Sequence, residues 1–148
     1  MSLVSLSDEA GLLPPEWHDT LIAAVDGVLS AELGPAAERC EAGIAVVDAT
    51  TIAELNLRWM GEEGPTDVLS FPVDDPPAQQ GDHPVALGDI IICPEATAPY
   101  GQNGVYGGVV LCAVHGALHL LGHDHATPAE EAAMFGLQEL HVARVLPP

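Results

Sequence analysis

Apolar positions recur along this chain with two different spacings, and each marks a different kind of element. Trp17, Leu21, Val25, Val28 and Leu29 follow Pro14-Pro15 at helical spacing. A first helix is therefore predicted from about Glu16 to the break at Gly34-Pro35. Ile44 to Val47 is a short β-branched run that reads as a strand ending at Asp48. Thr51-Ile-Ala-Glu54 has the form of a capping box and predicts a second helix carrying Leu55, Trp59 and Met60. Gly61 and Gly64-Pro65 then make a turn. Val68 to Phe71 reads as a strand stopped by Pro72 or shortly after. A turn-rich gap follows over 74–86. Leu87 to Cys93 is a nearly continuous apolar strand broken only by Asp89, which places a carboxylate in a stretch expected to be buried.

The segment from Val105 to Leu121 is apolar on nearly every side, the pattern of a central helix packed all round and ended by Gly122. Thr127-Pro128-Ala-Glu130 supplies an N-cap, a proline at the first helical position and a glutamate at the third, predicting a final helix to about Val145. Helices and short strands without a regular alternation indicate an α+β fold, and 148 residues without an internal repeat are expected to form a single domain, 1–148.

Composition changes this picture in one respect. The chain has no lysine, three arginines (Arg39, Arg58, Arg144) and 22 acidic residues, a formal charge of −19. Such a surface repels polyanions at long range and argues against broad nucleic-acid binding through phosphate contacts. Cys40, Cys93 and Cys112 lack metal-ligand spacing and read as reduced, mostly buried thiols of a cytoplasmic protein. No apolar run approaches a membrane span, and no basic segment with an apolar h-region opens the chain.

The candidate chemistry lies in His115-Gly-Ala-Leu-His119-Leu-Leu-Gly122-His123-Asp124-His125. Residues four apart share one helix face, so His115 and His119 can grip one ion. Gly122 lets the chain turn back and bring in His125 as the third ligand, with His123 as a weaker competitor. Three imidazoles with an open fourth position are the layout of a catalytic zinc site, so one Zn2+ is expected. His18, His83 and His141 lack this context and read as surface or helix-face residues. The spacing also matches the metzincin proteases, but those carry their general base, a glutamate, directly after the first histidine. Here that position is Gly116, which speaks against a peptidase.

These residues resemble the HGxLHLxGyDH signature of the YbeY family of bacterial zinc-dependent endoribonucleases. Leu55-Asn56 followed by Pro65-Thr-Asp-Val-Leu-Ser-Phe-Pro72 is similar to the family's LN…PT(D/N)VLSFP block. Leu87-Gly-Asp-Ile-Ile-Ile-Cys93 resembles its LGDIxI strand, and Met134-Phe135 fits its closing helix. The resemblance implies a mixed sheet flanked by helices, with the metal on a central helix and the turn after it. It also implies cleavage of single-stranded RNA, maturation of the 3′ end of small-subunit rRNA and a role in ribosome quality control.

The family's arginine before the PT motif falls at Met60, so Arg58 is the candidate to replace it. On a continuing helix Arg58 would face nearly away from Met60; if the helix ends there, Arg58 can reach the site. Asp89 is the candidate to orient a ligand histidine, with a structural hydrogen bond in the sheet as its alternative. Asp124 is expected to cap the turn after Gly122, and Thr66, Asp67 and Ser70 are candidates to line the groove, with fixing the strand's entry turn as the alternative for Asp67 or Ser70. Because three arginines cannot make a basic groove, basic small-subunit ribosomal proteins are expected to bring the enzyme to its RNA. No membrane or DNA partner is expected. The competing readings are a non-catalytic ribosome-assembly factor with a structural metal, and a zinc hydrolase of another substrate such as a peptide.

Overall fold

The computed structural model describes residues 2–77 and 81–146. Its centre is β2 (Cys40–Val46), in which Cys40, Ala42, Ile44 and Val46 are buried at every second position. Flanking it are β1 (Leu3–Ser7) and β4 (Val85–Ile92), both parallel to it. The edge strand β3 (Val68–Pro72) runs antiparallel to β4, completing the order β1-β2-β4-β3. The chain is thus α+β, as the pattern of elements predicted, and its sheet is mixed, as the resemblance implied.

Helices α1 (His18–Leu33), α3 (Gly104–Leu120) and α4 (Pro128–Val145) share the principal core with the sheet. Fully buried Val109, Val114, Leu118 and, on β4, Ile90 lie in it. Burying each such side chain contributes about 1.5–3 kcal/mol. A smaller cluster of Ile52, Leu69 and Cys93 lies beneath the short helix α2 (Ala49–Leu55), with Phe71 and Ile91 packed against it. The final helix starts as expected: the Thr127 hydroxyl accepts from the Glu130 amide at 3.2 Å, and Pro128 is first in the helix.

Several expectations need correction. The second helix is capped by Asp48, whose carboxylate accepts from the Thr51 amide at 2.8 Å, so Thr51 and Glu54 lie inside the helix rather than forming its box. Its end widens into a π-turn, Asn56–Met60. β1 was not anticipated: it is short, exposed on alternate residues, and held by pairing with β2. His141, expected near the surface, is buried at 2% exposure. The gap over 74–86 includes 78–80, which lie outside the described residues; its later part, from Val85, already belongs to β4. The helical stretch Pro15–Arg39 is long and apolar enough to cross a membrane by length and composition, contrary to expectation. Its Leu21, Val25, Val28 and Leu29 are spent on the core.

A bulge explains where Asp89 sits. β2 pairs Glu41 with Ala86 but Ala42 with Gly88, so Leu87 is an extra residue on β4. Inward-facing positions therefore switch from Val85 and Leu87 to Gly88, Ile90 and Ile92. Without the bulge the odd positions would stay inside and Asp89 would be buried. Gly88 permits the switch: its φ is 138°, and a Cβ there would lie 2.2 Å from the Phe71 carbonyl oxygen.

Candidate metal centre

His115 and His119 lie one turn apart on α3, and their Nε2 atoms face each other at 3.0 Å. The helix ends one residue after His119. The His123 amide donates back to the Leu118 carbonyl at 3.1 Å, and Gly122 takes φ 93°, so the chain reverses and presents His125. The His125 amide donates to the Asp124 carboxylate at 2.8 Å, so Asp124 braces the turn, as expected. One ring nitrogen from each of the three histidines lies within 4.8 Å of the others. Two ligands on a tetrahedral zinc are separated by about 3.3 Å, given Zn–N bonds of about 2.0 Å, so the His115–His119 spacing suits a shared ion.

The surroundings fit a metal as well as the spacing does. Nδ1 of His115 donates to the side-chain carbonyl of Gln138, a buried residue on α4. That bond fixes the tautomer and leaves the Nε2 lone pair directed at the centre. His119 is held by a hydrogen bond to the backbone of His123. Burial, reinforced by the neighbouring His115 and His125, keeps its imidazole below the ordinary pKa and hence in the ligating neutral form. His123 itself is no ligand: its Nε2 lies 3.3 Å from the Glu32 carboxylate and ties the turn to α1.

Gln138 is the functional residue that sequence reasoning missed. Met134, Gln138, His141 and Val142 form the buried stripe of α4, and which of them faces His115 is decided by how α4 packs, not by its spacing.

Two expected participants lie elsewhere. Asp89 is exposed, among Ser5, Gly43 and Val73, whereas the neighbouring Ile90 packs beneath Gly116 of α3. It lies on the other sheet face and cannot orient His115, a role taken by Gln138. Arg58 is exposed on the π-turn with its guanidinium 5.1 Å from the Trp59 ring centre. The helix continues through this segment, so Met60, not Arg58, lines the groove.

That groove, about 290 Å3, runs from Met60 along β3 past Ser70 and Pro72 to His115 and His119. The Ser70 hydroxyl donates to the Gly116 carbonyl at 3.3 Å. A second cavity of about 200 Å3 lies between Asp67, Cys112, Phe135 and Gln138 and also reaches His115. Asp67 therefore both lines a cavity and fixes the strand entry, its carbonyl accepting from the Cys93 amide at 2.9 Å. Thr66 donates to the Asp67 carboxylate at 3.5 Å. Burial, with the nearby Asp67 carboxylate, pushes the Cys112 thiol up to about 12, so it is not a nucleophile.

Comparison with known proteins agrees with this geometry. A family model described as Endoribonuclease YbeY matches residues 14–145. The Endoribonuclease YbeY of a Nocardioides species is 47% identical over 111 residues, 71% of this chain and 72% of the relative. That of Nocardia farcinica is 40% identical over 143 residues, 91% of this chain and 76% of the relative. This chain belongs to the YbeY family. The solution structure of TM1509 from Thermotoga maritima matches with a TM-score of 0.61 at 25% identity, covering 98% of this chain and 89% of that one.

Against the YbeY pattern quoted above, the structure locates the two departures. Met60 stands in the groove where the family places arginine, and His123, where the family commonly has tyrosine, is paired with Glu32. Asn56 of the LN block is buried and donates to the Gly64 carbonyl at 3.0 Å, closing the loop that delivers Met60 to the groove.

Proposed function

We propose that this protein is a zinc-dependent endoribonuclease that cleaves single-stranded RNA and matures the 3′ end of small-subunit rRNA, with a part in ribosome quality control in the cytoplasm. The observation that carries the reading is the convergence of His115, His119 and His125 in a chain of the YbeY family. One Zn2+ held by these residues supplies a Lewis acid for the scissile phosphodiester. The protein's contribution is placement: Gln138 orients His115, the His123 backbone holds His119, and Asp124 braces His125. The groove along β3 seats the strand.

Peptidase chemistry of the metzincin kind has no support in the fold. A Cβ at residue 116 would lie 2.5 Å from Ile90 Cγ2, so this position points into the sheet rather than at the metal. Recruitment to RNA by basic ribosomal proteins belongs to the same proposal and follows from the −19 charge. Incubation of zinc-loaded protein with a small-subunit rRNA precursor, followed by mapping of the ends, tests the reading. New 3′ ends in a single-stranded region are expected. Peptide cleavage with intact RNA would contradict it.

A further inference from the structure

We propose that the free edge of β3 holds the ribose-phosphate backbone of the RNA beside the metal. The outward amides of Val68 and Ser70 donate to phosphate oxygens, and the carbonyls of the same residues accept from 2′-hydroxyls. The inference rests on the nuclease reading above and adds to it the substrate contacts.

Strand parity decides which groups face outward. Opposite residues of two antiparallel strands alternate between pairs that exchange backbone hydrogen bonds and pairs that do not. Asp67 belongs to the first kind, since its carbonyl accepts from the amide of Cys93, opposite it, at 2.9 Å. With Val68 facing Ile92 and Ser70 facing Ile90, Leu69 and Phe71 bond to β4, whereas Val68 and Ser70 do not. Their amides and carbonyls therefore point to the open side of this edge strand. Among the described residues none of these four groups meets a hydrogen-bond partner. Pro72 obeys the same parity: it stands where an outward amide would be, an edge position at which a strand tolerates proline.

That open side is the groove that reaches His115 and His119, and Val68, Ser70 and Pro72 line it. Its charge suits an anion. Glu41, Glu54, Glu38 and Asp67 each put a carboxylate into another cavity. No acidic side chain lines this groove, in a chain whose net charge is −19. No arginine lines it either, and the Ser70 hydroxyl is spent on the Gly116 carbonyl, so the chain's own donors to phosphate here are backbone amides. Two residues of strand advance about 6.7 Å, which lets the two amides meet successive phosphates of an extended strand. Each outward amide has an outward carbonyl beside it, and the 2′-hydroxyl is the backbone group of RNA that can donate to one. A peptide strand would use the same groups, but Pro72 removes the next donor, and edge prolines work against such pairing.

The test measures Kd of zinc-loaded protein for a labelled single-stranded oligoadenylate and for its deoxyribose counterpart, read in less time than one turnover. The ribose strand should bind about tenfold more tightly. Ser70→Pro removes one outward amide without touching the ladder to β4. It should weaken ribose binding about tenfold with zinc content and helical spectrum unchanged. Ser70→Ala keeps that amide and should cost less than about threefold. Equal affinity for the two strands removes the carbonyl contacts, and wild-type Kd in a folded Ser70→Pro protein removes the amide contact; either overturns the proposal. So does a loss in Ser70→Ala as large as that in Ser70→Pro, which would put the effect in the hydroxyl. Should Ser70→Pro fail to fold, the two strands on the wild-type protein decide. Tighter binding of an extended peptide than of RNA would assign the edge to a protein and overturn the proposal too. Metal-dependent RNA cleavage with equal strand affinities removes the edge contacts and leaves the nuclease reading. Ribose- and amide-dependent binding without any cleavage does the reverse.

Discussion

A Cβ on residue 116 would lie 2.5 Å from Ile90 Cγ2 and 3.1 Å from its Cγ1, so the glycine after the first histidine is set by helix–sheet approach. Gly116→Ala should lower stability by about 1–3 kcal/mol, read from the denaturant midpoint, because the core must open to admit the methyl. An unchanged midpoint would show that α3 and β4 are less tightly fitted than described. Gln138 gives the second prediction at this scale. Gln138→Leu removes the acceptor that fixes His115, and zinc affinity measured by chelator competition should fall about 10- to 100-fold while the protein stays folded. The ligands were legible because helical spacing and a turn glycine are local facts of sequence. Gln138 was not, because nothing local says which residue of α4 faces His115. Asp89 was misplaced for a related reason: a single bulge residue, Leu87, inverts the phase of β4, and alternation alone does not reveal a bulge.

Elements converge where α1, the turn after α3 and α4 meet. The Glu32 carboxylate lies 3.3 Å from His123 Nε2 and 4.0 Å from His141 Nε2, and neither nitrogen of His141 has a hydrogen-bond partner among the described residues. Burial first, then Arg144, depress the His141 pKa below its ordinary 6.5, with Glu32 opposing. The unfolded chain therefore binds the proton more readily than the folded one, so stability is full above 6.5 and is lost as pH falls below it towards the folded pKa. His141→Leu should flatten that acid-side decline in urea midpoints between neutral pH and about 5, and a decline of undiminished steepness would remove His141 as its source. Element existence was largely readable: helical spacing between proline and glycine breaks marks α1, a long apolar run marks α3, and a threonine cap with a following proline opens α4. The true cap of α2 was not, because Asp48 and Thr51 both offer a capping oxygen and only the backbone conformation chooses between them. β1 escaped because five residues with small polar alternation carry no signal apart from their partner strand.

Over the whole molecule, the −19 charge must be contained by a core that β2, β4 and the three larger helices share. Self-repulsion of that size is screened by salt, with a Debye length of about 10 Å at 0.1 M. Melting temperature should therefore rise as salt is added from low ionic strength; a fall would mean that the few ion pairs outweigh the repulsion. Composition gave this balance directly, and the α+β class followed from the order of elements. Strand order did not, because pairing β4 between β2 and β3 depends on contacts far apart in sequence.

The central claim is that His115, His119 and His125 hold the metal on which RNA cleavage depends. It is tested most directly by assaying a single-stranded rRNA fragment with wild-type protein, the same protein after chelation, that protein after zinc is restored, and His119→Ala. Cleavage should be lost on chelation, regained with zinc, and absent from a His119→Ala protein that retains its helical spectrum. A folded, zinc-free His119→Ala protein that cleaves at the wild-type rate would contradict it.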